Sequence, residues 1–391
     1  MAEEPRFSPF EHPTALGSFR VWLKLLRDGG GIDREFLVRA AFLTTTTLLT
    51  SPLRAYERLR FGTAIRRTAI NPSPIFIVGH WRTGTTHLHN LLCRDSTLGY
   101  VSTFQALAPG CYLSCEKALK PLLTRIIGKS HPTRMIDNIP LLFDGPQEEE
   151  FAISNMSPHS FLHLYTFPRR ASYFFDRYVL LTDLPYESLA EWTETYLTLL
   201  RKMTLRAGGK RLVLKNPANG GRIKQLLELF PEAKFIHMVR NPYHLFPSAM
   251  WVYRTLLPRY HVQRFDWAQI EAHVLQSSAR LMQKFRADRA LIPAENLVEV
   301  RFEELEQAPL EQVRRVYDGL SLPGFAEAEP AIRAYLASIQ GYQKNRYGPN
   351  GEVIDKVNRH WGFLFDDWGY PRTDPAAAGD AGREIRRHLA G

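Results

Sequence analysis

The sequence predicts an α/β fold: a central parallel sheet covered by helices, a helical N-terminal region before it, and a helical, aromatic-rich insert within it. Three observations carry this reading. Short apolar runs, each followed by a turn and a helical stretch, recur four times, the pattern of parallel strands joined by crossover helices. The first run ends in a loop with regularly spaced glycines. The 391 residues, 45% hydrophobic and 23% charged, suit one large α/β domain or two small ones.

In chain order, residues 15–70 read as helices. "FLVRAAFLTTTTLLTSPL", residues 36–53, is apolar but broken by Arg39 and four threonines, so it reads as a helix packed on the body, with membrane-surface contact as the alternative. No uninterrupted apolar run reaches the roughly 18 residues of a spanning helix. "PIFIVG", residues 74–79, is a buried-type strand, followed by a helix over 85–94. "KRLVLKNP" places Leu212, Val213 and Leu214 in a strand ahead of Lys215, with the helix "GRIKQLLELF" after it. "AKFIHMVRNP" is a strand ending at Arg240, and "NLVEVRF", residues 296–302, is a fourth, followed by "PLEQVRRVYDGL". Ligands of such sheets bind beyond the carboxyl ends of the strands, where Gly79, Lys215 and Arg240 fall. The predicted organisation is a helical region over 1–73 packed on the body, a main domain over 74–371 with the insert at about 95–209 roofing the site, and a loose tail over 372–391.

The formal net charge of +10 suits an anionic ligand, an anionic membrane surface or nucleic acid. The basic residues are scattered, with pairs such as Arg66-Arg67 and Arg169-Arg170, so no nucleic-acid partner is expected. Cys93, Cys111 and Cys115 make no disulfide framework and no zinc-type spacing; they fit a reducing compartment, and no metal is expected. The start, "MAEEPRFSPFEHP", lacks the basic and apolar regions of a signal peptide. The expected location is cytoplasmic, with peripheral membrane contact as a further option.

"FIVGHWRTGTTHLHNLL", residues 76–92, holds "GHWRTGTT", the Gly-x4-Gly spacing of a phosphate loop between a strand and a helix. Glycines let successive N–H groups turn toward one anion, and the helix N-terminus adds a favourable dipole end. The fold is therefore P-loop-like and three-layered. Two parts of a nucleoside-triphosphate site are missing: Thr85 replaces the lysine, and the strand "FIHMV" ends in Arg240 where a magnesium-binding aspartate would stand. The cation inside the loop is Arg82. A transferred group of lower charge than a terminal phosphoryl, such as a sulfuryl group, can be stabilised by Arg and backbone N–H groups without a metal.

At these residues the chain resembles the sulfotransferases that use 3′-phosphoadenosine 5′-phosphosulfate (PAPS). The loop looks like their 5′-phosphosulfate motif. "FIHMVRNPYHLFPSAM" is similar to their 3′-phosphate motif, a strand-ending Arg and a Ser eight residues on, here Arg240 and Ser248. "VLKNPAN" resembles the signature whose Lys, here Lys215, reaches the sulfuryl oxygens; "VEVRFEEL" and "NRHWGFLFDDWGY" resemble later segments of the bacterial branch. The likeness runs over about 74–371. It implies PAPS as co-substrate, bound by Arg82, Thr83, Gly84, Thr85, Thr86, Arg240 and Ser248, with His87 where relatives stack an aromatic on adenine. It implies in-line transfer to an acceptor hydroxyl, less readily an amine, with Arg82 and Lys215 stabilising the moving group.

Transfer to a hydroxyl needs a carboxylate or imidazole to take its proton. "DGPQEEEFAISN" reads as a helix start capped by Asp144 and opened by Pro146, and the bacterial branch carries a similar acidic run. Glu148 is the first candidate base and Glu150 the second, although acids at a helix start also serve capping alone. Relatives with a glutamate after the loop helix have Gln105 as their counterpart here, and those with a histidine two residues after the lysine have Pro217. His159 and His163 are reserves. The insert supplies Phe161, Tyr165, Phe167, Tyr173, Phe174, Phe175 and Tyr178, mostly core; if some line the acceptor site, the acceptor is a lipid or other hydrophobic alcohol, with a sugar still open. Arg134 and Asp137 are placed to touch a polar head. The competing readings are a phosphoryl transferase with a degenerate loop, and a basic protein that binds nucleic acid or a membrane surface.

Overall fold

The computed structural model describes residues 12, 14–130, 136, 142–341 and 348–375. Three helices come first, α1 (Phe19–Asp28), α2 (Leu37–Leu49) and α3 (Ser51–Arg67). Strand β1 (Ile75–Gly79) leads into α4 (Thr85–Leu92). The insert holds β2 (Leu98–Gly99), α5 (Thr103–Leu107), α6 (Tyr112–Ser130), α7 (Glu149–Met156), α8 (Ala171–Tyr178) and α9 (Tyr186–Arg206). Then come β3 (Arg211–Lys215), α10 (Ile223–Leu229), β4 (Lys234–Val239), α11 (Pro242–Tyr260), α12 (Trp267–Asp288) and β5 (Leu297–Arg301). The chain closes with α13 (Phe302–Gln307), α14 (Pro309–Gly319), α15 (Phe325–Ser338) and α16 (Gly351–Trp368).

The five strands are parallel, in the order β2-β3-β1-β4-β5. All of β1 is buried, as its unbroken apolar run requires of a strand covered on both faces. Alternate residues feed two cores. Phe76, Val78, Leu214 and Phe235 join Phe246, Leu281 and Trp361 from α11, α12 and α16 on one side. Ile75, Ile77, Val213 and Ile236 join Leu88, Val313 and Val316 from α4 and α14 on the other. The result is the three-layer α/β arrangement. Trp22, Leu25 and Leu43 of the N-terminal helices belong to the first of these cores, so that region packs on the body. The register sets Ile77 beside Lys215 and Gly79 beside Met238, which brings the ends of β1, β3 and β4 to one level.

Several details differ from the sequence reading. β2 was not expected; two residues carry no periodicity. The stretch after Lys215 opens with a 3-10 turn, Pro217–Gly221, before α10 begins. α7 starts at Glu149, with Glu148 as its N-cap. Asp144 is therefore no cap; it pairs with Lys120 at 2.5 Å. The apolar N-terminal run is longer than expected: a helical stretch over Arg34–Arg67 meets the length and composition of a spanning helix. Cys93, Cys111 and Cys115 are free, the last two with sulfurs 3.2 Å apart one helical turn from each other. Arg134, Asp137 and the tail past residue 375 lie outside the described residues.

Candidate active site

The loop after β1 is shaped by residues that accept unusual backbone angles. Gly79 has φ +145°, and a Cβ there would sit 2.5 Å from the Met238 carbonyl oxygen. Gly84 has φ +88°, and a Cβ there would meet the Phe302 ring at 2.2 Å. Arg82 also takes a positive φ, 77°, without being glycine. Such strain persists where surrounding contacts over-determine it, and it gathers at functional sites. Here the contacts are on both sides of the residue. Arg82 donates through Nε to Ser248 Oγ at 2.8 Å, and its carbonyl accepts from Arg240 Nη1 at 2.9 Å.

Those two bonds join the loop to the 3′-phosphate-type pair. Arg240 follows β4 directly, and Ser248 lies in the second turn of α11, so strand and helix fix both. The Arg240 guanidinium lies over the Phe302 ring at 4.1 Å, and its buried Nε has no hydrogen-bond partner among the described residues. A buried donor left open beside a second guanidinium and a serine is a fit for an anion's oxygen.

Thr83 departs from the expected role. Its N–H and its hydroxyl both go to the His80 carbonyl, at 3.3 and 2.7 Å, and it is fully buried. It holds the loop's shape and has no donor left for a ligand. Thr85 and Thr86 open α4, and the Thr86 hydroxyl lies 3.3 Å from Lys215 Nζ. His87, on the same first turn, is held neutral mainly by burial, with Glu306 opposing. His80 lies fully buried under Trp361 at 5.3 Å, with a pKa lowered by burial to about 4, and its Nδ1 is 2.5 Å from the Trp81 carbonyl oxygen. The closing helix α16, kinked at Trp361, thus braces the loop from behind.

Lys215 ends β3 with its side chain 1% exposed and its ammonium 2.5 Å from Glu148 Oε1. Glu148 keeps partial exposure as the N-cap of α7. Sheet end, loop threonine and insert carboxylate therefore meet at one ammonium group.

Glu150, the second candidate base, is elsewhere. It is sealed with Arg222, both side chains 0% exposed. Its oxygens accept from Ser160 Oγ at 2.7 Å, Asn216 Nδ2 at 2.7 Å, and Arg222 Nη1 and Nη2 at 2.8 and 3.3 Å. A carboxylate with four donors and no solvent path does not take an acceptor's proton; the geometry corrects the expectation to a structural role. Glu149 accepts from Asn219 Nδ2 at 2.7 Å, and burial pushes its pKa up to about 7. Gln105 caps α5 in a reciprocal box with Ser102. His159 pairs with Glu191 and Tyr178, and His163 with the Ser157 carbonyl. None of these three reaches the loop.

The aromatic insert does reach it. Trp81, inside the loop, stands against Phe161 at 5.4 Å and Phe175 at 6.2 Å. Phe175 meets His273, His273 meets Tyr253, and Tyr253 meets Tyr165, at 5.8, 6.2 and 5.3 Å. The buried Tyr165 hydroxyl, its pKa raised chiefly by burial, feels the charges of both Glu148 and Arg82. Sequence reasoning gave no role to Trp81 or to the polar set Asn216, Asn219 and Arg222, whereas Tyr165 stood among the insert aromatics it named. The only signal for that polar set was its position just after Lys215.

A profile of the sulfotransferase family matches residues 74–327. The omega-hydroxy-beta-dihydromenaquinone-9 sulfotransferase Stf3 of Mycobacterium bovis is 33% identical over 363 residues, 92% of each chain, and the protein of that name from Mycobacterium tuberculosis matches equally. Among solved structures, sulfotransferase STF9 from Mycobacterium avium aligns with a TM-score of 0.66 at 20% identity, over 90% of this chain and 96% of that one. Sulfotransferase STF1 from Mycobacterium tuberculosis gives 0.63 at 21%, over 90% and 94%. At those identities the two structures speak for the fold. The family match and the long relative establish that this chain belongs to the sulfotransferase family and is an enzyme that transfers a sulfuryl group.

Proposed function

We propose that the enzyme takes the sulfuryl group from PAPS and delivers it to the hydroxyl of an apolar, lipid-like acceptor, with Glu148 as the base. The observation that carries this reading is the meeting of Lys215 Nζ with Glu148 Oε1 and Thr86 Oγ1 directly beside the loop. Arg240, with its open buried Nε, and Ser248 hold the 3′-phosphate. The backbone N–H groups of Gly84, Thr85 and Thr86 and the Thr86 hydroxyl face the 5′ end, where a helix N-terminus favours an anion. His87, neutral and in the first turn of α4, lies beside the adenine.

In the transfer, Glu148 accepts the proton of the acceptor hydroxyl as its oxygen bonds to sulfur. The bond from sulfur to the 5′-phosphate oxygen breaks, and that oxygen keeps the electron pair. Charge grows on the bridging oxygen and persists on the sulfuryl oxygens. Lys215 and Arg82 are fixed beforehand by strand and helix ends, so they stabilise that charge without reorganising. Glu148 also holds Lys215 in place before the donor arrives. The product nucleotide is 3′-phosphoadenosine 5′-phosphate.

The acceptor reading rests on the run of packed rings from Trp81 in the loop through Phe161, Phe175 and Tyr253 to Tyr165, which feels the charge of Glu148. Aromatic surroundings of this kind favour a chain with an apolar body over a sugar. The relative that acts on an omega-hydroxylated menaquinone supports the same class. The test is transfer of labelled sulfuryl from PAPS to long-chain isoprenoid alcohols and to monosaccharides. Turnover of the alcohols and not the sugars is expected. Turnover of sugars alone, or retained kcat in Glu148→Gln, overturns the assignment.

A further inference from the structure

The helical stretch Arg34–Arg67 turns one face to the core and leaves the other bare. Only 17% of its most apolar window is buried. Ala40, Leu43, Thr47 and Ile65 pack inward. Val38, Leu48, Leu49, Tyr56 and Leu59 project outward, Val38 at 80% and Leu59 at 87% exposure. Each lies a sum of three-, four- and seven-residue steps beyond Val38, with Leu48 and Leu49 side by side, so they form one stripe along the helix. Single exposed leucines need no explanation, but a stripe of about 32 Å, from the roughly 21 steps between Val38 and Leu59 at about 1.5 Å each, does.

Between Val38 and Tyr56 no charged side chain is exposed, and most polar groups there are tied back to the protein. Arg39 turns in to the carbonyls of Pro258 and His261, at 3.1 and 3.0 Å. Arg54 turns in to Thr47, Thr50 and Ser51. Glu57 is buried against Lys202. The hydroxyls of Thr44, Thr45, Thr46 and Thr47 each donate back to the carbonyl four residues earlier. This is how threonines are accommodated in a helix that water does not reach. Exposed charges gather toward the ends: Arg34 and Glu35 before the stripe, Glu35 paired with Arg264 at 2.5 Å, then Arg58, Arg60, Arg66 and Arg67 at its far end. Exposed Trp267 stands at the near end, linked to α2 by the rings of Phe265, His261 and Phe36.

We infer that this face lies on an anionic lipid bilayer, its stripe seated among the acyl chains and its arginines among the headgroups. The charge-free stripe matches hydrocarbon and the flanking arginines match anionic lipid, the pattern of an interfacial helix. The helix rests on the surface and does not cross it, because its inner face is held by the Glu57–Lys202 pair, by Arg39, and by Arg54, which also donates to the Leu16 carbonyl at 3.4 Å. Arg39 grips the last turn of α11, the helix that carries Ser248 near its start. The docked face and the donor site are thus ends of one rigid element. The inference needs neither the donor nor the acceptor assignment.

The test is flotation of the full chain with vesicles of phosphatidylcholine, alone or mixed with phosphatidylglycerol. Two surface variants go beside it, Val38→Glu/Leu48→Glu/Leu59→Glu and Arg60→Glu/Arg66→Glu/Arg67→Glu, each checked for an unchanged thermal midpoint. The wild type is expected to float with the mixed vesicles. The leucine-face variant should partition about tenfold less or lower, and the arginine variant about fivefold less per arginine that reaches the surface, with the loss shrinking in high salt. No flotation of the wild type, or flotation of both variants as full as the wild type's, overturns the proposal. So does a wild-type dimer that the leucine-face variant turns into a monomer with no vesicle binding in either, since a second copy would then be what covers the face.

Discussion

Glu150→Gln separates a structural carboxylate from a chemical one. Glu150 receives four hydrogen bonds, two of them from Arg222, and neither side chain is exposed. A glutamine keeps the shape and one acceptor oxygen. Its amide nitrogen must then face two donors, and the guanidinium of Arg222 loses its counter-charge with no water to replace it. Breaking a buried ion pair by removing one partner costs about 3–5 kcal/mol. Arg222 retains the Tyr178 carbonyl, Asn219 and the Trp192 ring 5.1 Å away, which argues for the lower end, about 3 kcal/mol. The assay is urea unfolding followed by far-UV circular dichroism, with kcat measured well below the transition. A large fall in the urea midpoint with kcat retained within about tenfold is expected. In contrast, folded Glu148→Gln should lose about 10²–10⁴ in kcat. A Glu150→Gln enzyme as stable as wild type but with kcat down as far as that of Glu148→Gln would refute the reasoning and make Glu150 the base.

Gly84→Ala drives a methyl into Phe302 at a residue with positive φ, and should lower stability by about 1–3 kcal/mol while abolishing nucleotide binding, read by melting and titration. Arg240→Ala and Ser248→Ala should weaken 3′-phosphoadenosine 5′-phosphate by roughly 10- to 100-fold and a few-fold respectively, and leave adenosine 5′-phosphosulfate nearly unchanged. Glu149 holds its proton more tightly folded than unfolded, with a pKa raised to about 7 by burial, so stability is lost as pH rises from about 4.5 to 7. Glu149→Gln removes that loss, and should match wild type at pH 4 yet exceed it at pH 8 by up to about 3 kcal/mol in urea unfolding. Equal pH profiles for the two proteins would show that Glu149 does not titrate there.

The loop and the strand ends beside it were legible because their parts are local. Gly79 and Gly84 are dictated by backbone angles within one turn. Lys215 and Arg240 end apolar runs that could only be buried parallel strands, and Ser248 follows at a fixed helical offset. Four of the five strands could be read for the same reason, and β2 could not because Leu98–Gly99 pairs only by lying beside β3. The surroundings of Glu148 and Trp81 are built from contacts between distant segments. The three successive glutamates look alike in sequence, yet Glu148 faces Lys215, Glu149 faces Asn219 and Glu150 faces Arg222. Which does what is decided by the direction each takes from the start of α7, and that start was misplaced by Pro146. The role of Trp81 depends on rings 80 and 94 residues further along the chain. The bare face of α2 and α3 was hidden by Arg39 and the threonines, which read as polar interruptions until their bonds to backbone carbonyls are seen.

The most direct test of the account is a calorimetric titration with 3′-phosphoadenosine 5′-phosphate, run beside ATP with and without magnesium. The open Nε of Arg240 and the lysine-free loop predict micromolar or tighter binding of the bisphosphate, unaffected by a chelator and well ahead of ATP. Magnesium-dependent ATP binding as tight as or tighter than that of the bisphosphate would contradict it, and would mean that Arg240 and Ser248 do not read a 3′-phosphate.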